Sequence, residues 1–391
     1  MAPVVDIHTH MYPPEYISIL SSRDTIPLVR TFPSSPDPRL ILLESEIPSL
    51  ERALADPSAP LPGRPLTKHF TSLPAKLAFM SHHNITTSVL SLANPWLDFL
   101  PADTAGATAQ QINTSFETMC STTNATTTTT QTKKLFFFGT LPLTAPTPTI
   151  LACITHLTTL RHCRGIILGT GGLVTNNQGN GLDDPALLPI FHALASSSLP
   201  IFLHPHYGLP PSLFGSHGAQ NSHVLPLALG FPMETTIAVA RMFLAGVFDE
   251  VRELRMVLAH AGGTLPFLAG RVESCVRHDA ALVGWGGEGG KGGRRTVWEV
   301  LREQVYLDAV IYSEVGLRAA VEAAGGADRL MFGTDHPFFP PVGEKAGEAE
   351  EGEWESVRLN VEAVNKALGE GSEEAGMVMG GNAVRVLRLD E

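Results

Sequence analysis

Cysteine is scarce in this chain, with four in 391 residues. Cys120, Cys153, Cys163 and Cys275 are scattered and form no CxxC motif. That pattern argues against a disulfide framework and for reduced, packed thiols in a cytoplasmic protein. Positive charge is also short: 27 Lys and Arg stand against 39 Asp and Glu, for a formal net charge of −12. Such a chain repels nucleic-acid phosphates and anionic bilayers, so no nucleic acid and no membrane are expected as partners. No apolar run is read as reaching the ~20 residues of a membrane-spanning helix. The first apolar run begins almost at Met1, so no signal or transit peptide is expected before it. A placed phosphate loop is missing too. The glycine string at 283–295 (VGWGGEGGKGGRR) does not join a strand to a helix start, and it reads as a surface loop. Any anionic substrate must therefore be drawn in by a few local cations or a metal.

What is present is a rhythm of short apolar, β-rich runs separated by longer helical or polar segments. Eight candidate strands follow: Val4–His8, Thr87–Leu92, Leu135–Leu141, Gly165–Leu168, Pro200–His204, Met256–His260, Val305–Leu307 and Leu330–Gly333. Helix-like segments lie between most of them, such as Ala238–Phe248 and Glu314–Ala324. The alternation predicts an α/β fold, a parallel (β/α)8 TIM barrel, as a single domain over residues 1–391. The Pro-rich stretch 11–80 is expected to be an insertion after strand one that covers the barrel mouth. Residues 121–134 (Thr-rich) and 342–354 (acidic) read as solvated surface segments.

Polar residues then mark the strand ends. The opening run VVDIHTH carries His8 and His10, which an extended strand turns to one side. Taken alone they are a metal pair or two surface histidines. FLHPHYG carries His204, LAHAGG carries His260 and FGTDHPFF carries Asp335. All five sit at C-terminal ends of barrel strands, the face on which such barrels build their sites, and together they predict a metal centre.

This pattern, HxH on strand one, His on strands five and six, and Asp on strand eight, resembles the amidohydrolase superfamily. "DIHTHMYP" and "HPHYG" resemble its decarboxylase branch, which includes aminocarboxymuconate-semialdehyde and hydroxybenzoate decarboxylases. "TIPLVRTFP", "LPGRPL", "SLANPW", "GFPMETTIAVARM", "GGTLPFLAGR" and "LMFGTDHPFFPP" extend the likeness along nearly the whole chain to isoorotate (uracil-5-carboxylate) decarboxylases. The resemblance implies His8, His10, His204 and Asp335 as metal ligands, with His260 just outside as a hydrogen-bonding acid/base group. Strand four ends in GIILGTGG, with no lysine or glutamate to bridge a second metal, so one metal is expected. Zn²⁺ suits three imidazoles and a carboxylate, and Mn²⁺ is used by relatives. Gly263 stands where some hydroxybenzoate decarboxylases carry a Glu that pairs with the strand-six histidine.

The implied reaction is nonoxidative decarboxylation of a planar heteroaromatic carboxylate, isoorotate, to uracil and CO2. Asp335 is implied as proton donor, assisted by His260. Arg64 matches a substrate-contacting arginine and could hold a carboxylate, or it is a surface residue of the insertion. Asn94 offers an amide to a pyrimidine edge. Phe338 could stack on the ring, while Phe339 reads as core. His206, His223 and His336 are weaker candidates, and Glu234 reads as structural. Arg271 matches a residue that reaches a neighbouring subunit in some relatives, which implies a homodimer or higher homo-oligomer. Two rivals stand beside this reading: another aromatic or muconate acid as substrate, or a mononuclear hydrolase of a cyclic amide or lactone. A non-catalytic metal-binding scaffold is harder to reconcile with ligands on the catalytic face.

Overall fold

The computed structural model of the chain describes residues 3–125, 133–175, 178–282, 294–341 and 352–390. Most of the glycine string and of the acidic segment lies outside these residues.

Eight strands form one parallel sheet in chain order: β1 (Val5–His10), β2 (Thr87–Ser91), β3 (Lys134–Gly139), β4 (Cys163–Gly169), β5 (Ile201–His204), β6 (Met256–Leu258), β7 (Val305–Asp308) and β8 (Leu330–Met331). Each pairs with the next. The strands are buried on both faces, between barrel interior and helices, which is why they read as continuous apolar runs. The ring closes through backbone bonds between β1 and the chain leaving β8. Ile7 N donates to Phe332 O at 3.1 Å, Asp335 N to His8 O at 2.8 Å and His10 N to His336 O at 2.8 Å. Phe138, Phe202 and Ile7 are among the fully buried side chains, and Phe202 lies edge-on below His8 at 5.0 Å.

Residues 11–80 contain helix Pro14–Ser21, a small antiparallel sheet of Leu28–Arg30, Arg39–Ile41 and Arg64–Pro65, and helix Ile47–Ala55. Leu28, Phe32, Ile41, Leu50 and Ala53 give this part its own apolar cluster. Its last helix, Leu73–His82, is capped by the Ser72 hydroxyl and reaches β1 through Lys76, whose Nζ donates to Thr9 Oγ1.

Three expectations change. Residues 121–125 of the Thr-rich segment are the last turn of helix Ala102–Ala125, where buried Cys120 and Thr123 face the core. Strand six stops at Leu258, and His260 sits in a tight turn beyond it. The run Pro226–Ala245 is a continuous 20-residue helical stretch, long and apolar enough by composition to span a bilayer, though half of it is buried within the protein.

A buried ion pair lies at the closing seam. Lys76 Nζ stands 3.8 Å from Asp6 Oδ2, both side chains fully buried. Asp6 accepts from Thr334 N (3.0 Å) and Thr334 Oγ1 (2.8 Å), so it ties β1 to the segment that leads to Asp335. Lys76→Ala strands the carboxylate and should cost about 3–5 kcal/mol in urea denaturation, whereas Lys76→Met with Asp6→Asn should cost much less. Burial, only partly offset by Asp6, lowers Lys76 to about 8. The unfolded chain keeps that proton up to about pH 10.4. Between these values the unfolded state binds more protons, so this lysine's contribution to stability rises with pH from about 8 and falls again on acidification. Lys76→Met should lack that slope; an unchanged slope would assign it to other groups.

Candidate metal centre and substrate pocket

The five side chains singled out at the strand ends converge on one point. His8 Nε2 lies 3.3 Å and His10 Nε2 3.6 Å from Asp335 Oδ1, and His260 Nε2 lies 3.7 Å from Asp335 Oδ2. The His8 and His204 rings are 5.2 Å apart, as are those of His204 and His260. Four donors that all lie within 4.8 Å of one another belong to His8, His204, His260 and Asp335, so His260 stands in this set, where it was expected just outside, and His10 does not, although its Nε2 is 3.6 Å from Asp335.

Three of the rings are anchored through Nδ1. The His8 Nδ1–H donates to Asp308 Oδ2 at 2.5 Å. That of His10 donates to Ser91 Oγ at 2.9 Å, the serine spending its own proton on Thr9 O. That of His204 donates to Pro205 O at 2.9 Å. Such anchoring fixes the tautomer and leaves Nε2 as an outward lone pair, the usual state of a metal-ligating histidine. His8 Nε2 and His10 Nε2 are buried without a hydrogen-bond partner among the described residues, and a cation fits that donor set. The Nδ1 of His260 has no such anchor.

Without a cation, the two carboxylates beside His8 hold a second proton on its ring. Burial opposes charge on His8, but Asp335 and Asp308 outweigh it and raise the ring to about 10. Burial lowers His10 to about 4, and burial with the neighbouring imidazoles holds His204 well below its ordinary value. Burial would raise Asp335, but His8, His10 and His260 keep its carboxyl well below the usual range.

Beside the centre runs a second chain of contacts. Arg64 Nη2 donates to Tyr12 Oη at 2.6 Å, and Tyr12 Oη donates to Asn94 O at 2.8 Å. The Arg64 guanidinium lies 4.5 Å from the centre of the Phe338 ring, which itself stands edge-on to His10 at 5.4 Å. Arg64 Nε has no partner among the described residues. Phe338, and through it Arg64, thus lie beside the metal centre, whereas Asn94 joins this chain through its backbone carbonyl and lines a cavity of about 500 Å³ together with His206, Tyr207 and Glu234. Phe339, expected in the core, is instead 47% exposed. His206 forms a separate cluster, 2.9 Å from Asp98 Oδ2, and Glu234 accepts from the backbone of His206 (2.6 Å) and Gly208 (2.9 Å). His336 faces away, stacked on Phe79 at 3.7 Å and near Lys76. His223 lies near Tyr207. Arg271 is exposed.

Sequence reasoning missed Tyr12, Phe231, Ser91 and Asp308. Phe231 places its ring 5.9 Å from His204 and 6.0 Å from His260. Asp308 did leave a signal, being the polar residue at the end of strand seven.

A parallel (β/α)8 barrel with imidazoles and a carboxylate gathered at its C-terminal rim defines a metal-binding barrel of the hydrolase type. The chain belongs to the amidohydrolase family, whose model matches residues 5–389. It is 63% identical to the IDCase of Metarhizium anisopliae, known in its apo form, over 100% of this chain and 98% of that one, with a TM-score of 0.91. It is 28% identical to the 2-amino-3-carboxymuconate-6-semialdehyde decarboxylase of Dictyostelium discoideum over 269 residues, 66% of this chain and 62% of that protein, less than two thirds of its length. A dihydroxybenzoic acid decarboxylase from Polaromonas, with bound manganese and 2-nitroresorcinol, shares the fold at TM-score 0.67 and 18% identity, over 100% of this chain and 98% of that one.

Arg64 lies close enough to His10 to disfavour a proton there, and its Nε has no partner among the described residues. Arg64→Ala should weaken binding of a carboxylate substrate by about 1.5–3 kcal/mol. Arg64→Lys should restore only part of this, because lysine keeps the charge and loses the planar fork. Calorimetric titration gives the comparison, and equal affinity in all three proteins would place Arg64 outside the binding face.

Proposed function

We propose that this chain is a metal-dependent nonoxidative decarboxylase that converts isoorotate to uracil and CO2. The observation that carries it is the juxtaposition of a cation-ready His/Asp centre with Arg64 and the Phe338 and Phe231 rings. Its support from relatives is the 63% identity to IDCase over the full chain.

His8, His10, His204 and Asp335 would hold the metal, because the three histidines are the ones whose Nδ1 is anchored. When bound, a single divalent ion, Zn²⁺ by its donor set and Mn²⁺ as the alternative, supplies Lewis-acid stabilisation to negative charge on substrate oxygens. The protein's own groups do the rest. Arg64 grips the anionic edge, the Asn94 amide pairs with the pyrimidine edge, and Phe338 and Phe231 hold the ring flat. Breaking the C5–carboxylate bond leaves its electron pair on C5 and releases CO2. Asp335 delivers a proton to that carbon. Asp335 is ionised at rest, and the substrate carboxylate arriving beside it raises its proton affinity by like-charge repulsion. That proton would come to Asp335 from His260, 3.7 Å away and partly open to solvent, and solvent would then recharge His260.

A homodimer is part of the proposal. Helix Phe231–Ala245 and the turn before it leave Leu229, Met233, Ile237 and Leu244 exposed, and Phe267 is 86% exposed on helix Leu265–His278, one turn from Arg271. The segment 11–80, short of its final helix, is proposed to cover the mouth, since it delivers Tyr12 and Arg64 to the pocket. The buried thiols Cys120, Cys153 and Cys163 fit a cytoplasmic setting.

Purified protein should hold about one divalent metal per chain and release CO2 from isoorotate with no organic cofactor; in D2O the uracil should carry deuterium at C5. Ring opening without CO2 would favour a cyclic-amide hydrolase, and CO2 from only 2,3- or 2,6-dihydroxybenzoate or aminocarboxymuconate semialdehyde would change the substrate. Asp335→Asn should lower turnover by roughly 10²–10⁴. Metal content is measured on the same sample, and near-normal turnover at full metal would remove Asp335 as donor.

A further inference from the structure

We propose that Asp308 is a positioning residue that sets the ligating face of His8 and, through the same carboxylate, holds the turn that carries His260. The ligation half of this rests on the metal reading above.

Asp308 ends β7 and is completely buried. Its Oδ2 accepts the His8 Nδ1–H at 2.5 Å. Its Oδ1 accepts from Ala261 N at 2.8 Å and from Val310 N at 3.1 Å. Ala261 follows His260 in an unusual turn, with φ of 54° at His260, 52° at Ala261, 76° at Gly262 and 68° at Gly263. Two side-chain-bearing residues in the left-handed region need a tether, and the Ala261 N–H bond to Asp308 supplies one. The His8 ring cannot readily turn over, being packed edge-on by Phe202, His10, His204 and His260 at 5.0–5.2 Å. With its Nδ1 proton pinned by a carboxylate, His8 presents Nε2 toward Asp335.

The geometry makes Asp308→Asn worse for ligation than Asp308→Ala. The two backbone N–H groups of Ala261 and Val310 demand an acceptor, so the amide oxygen of the substituted side chain must face them. Its NH2 then faces His8 Nδ1, and donor against donor favours the tautomer protonated on Nε2, which closes the ligand position. In Asp308→Ala nothing opposes the correct tautomer, but both backbone donors lose their acceptor.

The test compares wild type, Asp308→Asn and Asp308→Ala in three measurements. Metal retention against a chelator, with Zn²⁺ as probe, should fall in the order wild type, Asp308→Ala, Asp308→Asn, the last weaker than wild type by roughly 10- to 100-fold. Thermal stability should rank the two variants the other way, Asp308→Asn above Asp308→Ala. In imidazole-¹⁵N-labelled protein stripped of metal, a strongly downfield Nδ1–H proton of His8 should be present in wild type and lost in both variants. Metal retention that merely follows stability, or an Asp308→Asn protein that holds Zn²⁺ like wild type, overturns the ligation half. A downfield proton that survives Asp308→Asn overturns the contact itself. If wild type binds no divalent metal, the metal reading fails, and the proton signal and stability order still decide whether Asp308 positions His8 and the His260 turn.

Discussion

The site depends on the closure of the barrel between its first and last strands. β8 is only two residues long, and most of what joins it to β1 lies beyond it, where the chain at 332–336 runs alongside Ile7–His10. Those backbone bonds place Asp335 opposite His8 and His10, so a contact between residues at opposite ends of the sequence becomes a register fixed by main-chain hydrogen bonds. Asp6 completes the seam by accepting both the amide and the hydroxyl of Thr334. Lys76 sits behind it because a carboxylate at that depth needs a counter-charge. A slip of one residue at this seam would turn both histidines away from the interior, since neighbouring strand residues face opposite sides.

Much of the fold was legible because parallel strands buried on both faces must be apolar throughout, and each barrel strand left such a run. Their ends were less legible. The first strand continues to His10 because the pleat must carry both imidazoles to the rim, whereas the sixth stops short of His260, whose turn depends on positive φ at a non-glycine residue that no local pattern announces. The cluster of four histidines and Asp335 was readable from position alone. Its supports were not. Ser91 is a small polar residue in a strand of TSVLS, and only the pairing of β1 with β2 puts its hydroxyl under His10. Tyr12 looked like an aromatic of the opening segment, and its hydroxyl gains meaning only when the small antiparallel sheet delivers Arg64 to it. Pro226–Ala245 shows the converse: its composition matches a membrane span, yet its buried Glu234 is bound to the backbone of the loop after β5.

The charge distribution explains how an acidic protein can serve an anionic substrate. Asp308 and Asp335 approach the His8 ring from opposite edges, and His10 and His204 are held neutral by burial and by one another. Two carboxylates against neutral imidazoles make a pocket that demands positive charge. Without a metal that demand is met by a proton on His8, which is why its affinity for one is raised. A divalent ion that displaces this proton leaves the pocket more positive by one charge than before. Together with Arg64 it would give the rim a local positive field inside a chain of net charge −12, and at short range that field would outweigh the distant surface acids, which solvent and salt screen. The same arithmetic gives Asp335 its double part. On the proposed reading, Asp335 would stay ionised and ligate beside a cation, and a substrate carboxylate beside it would make it basic enough to carry the proton that the departing CO2 leaves a place for.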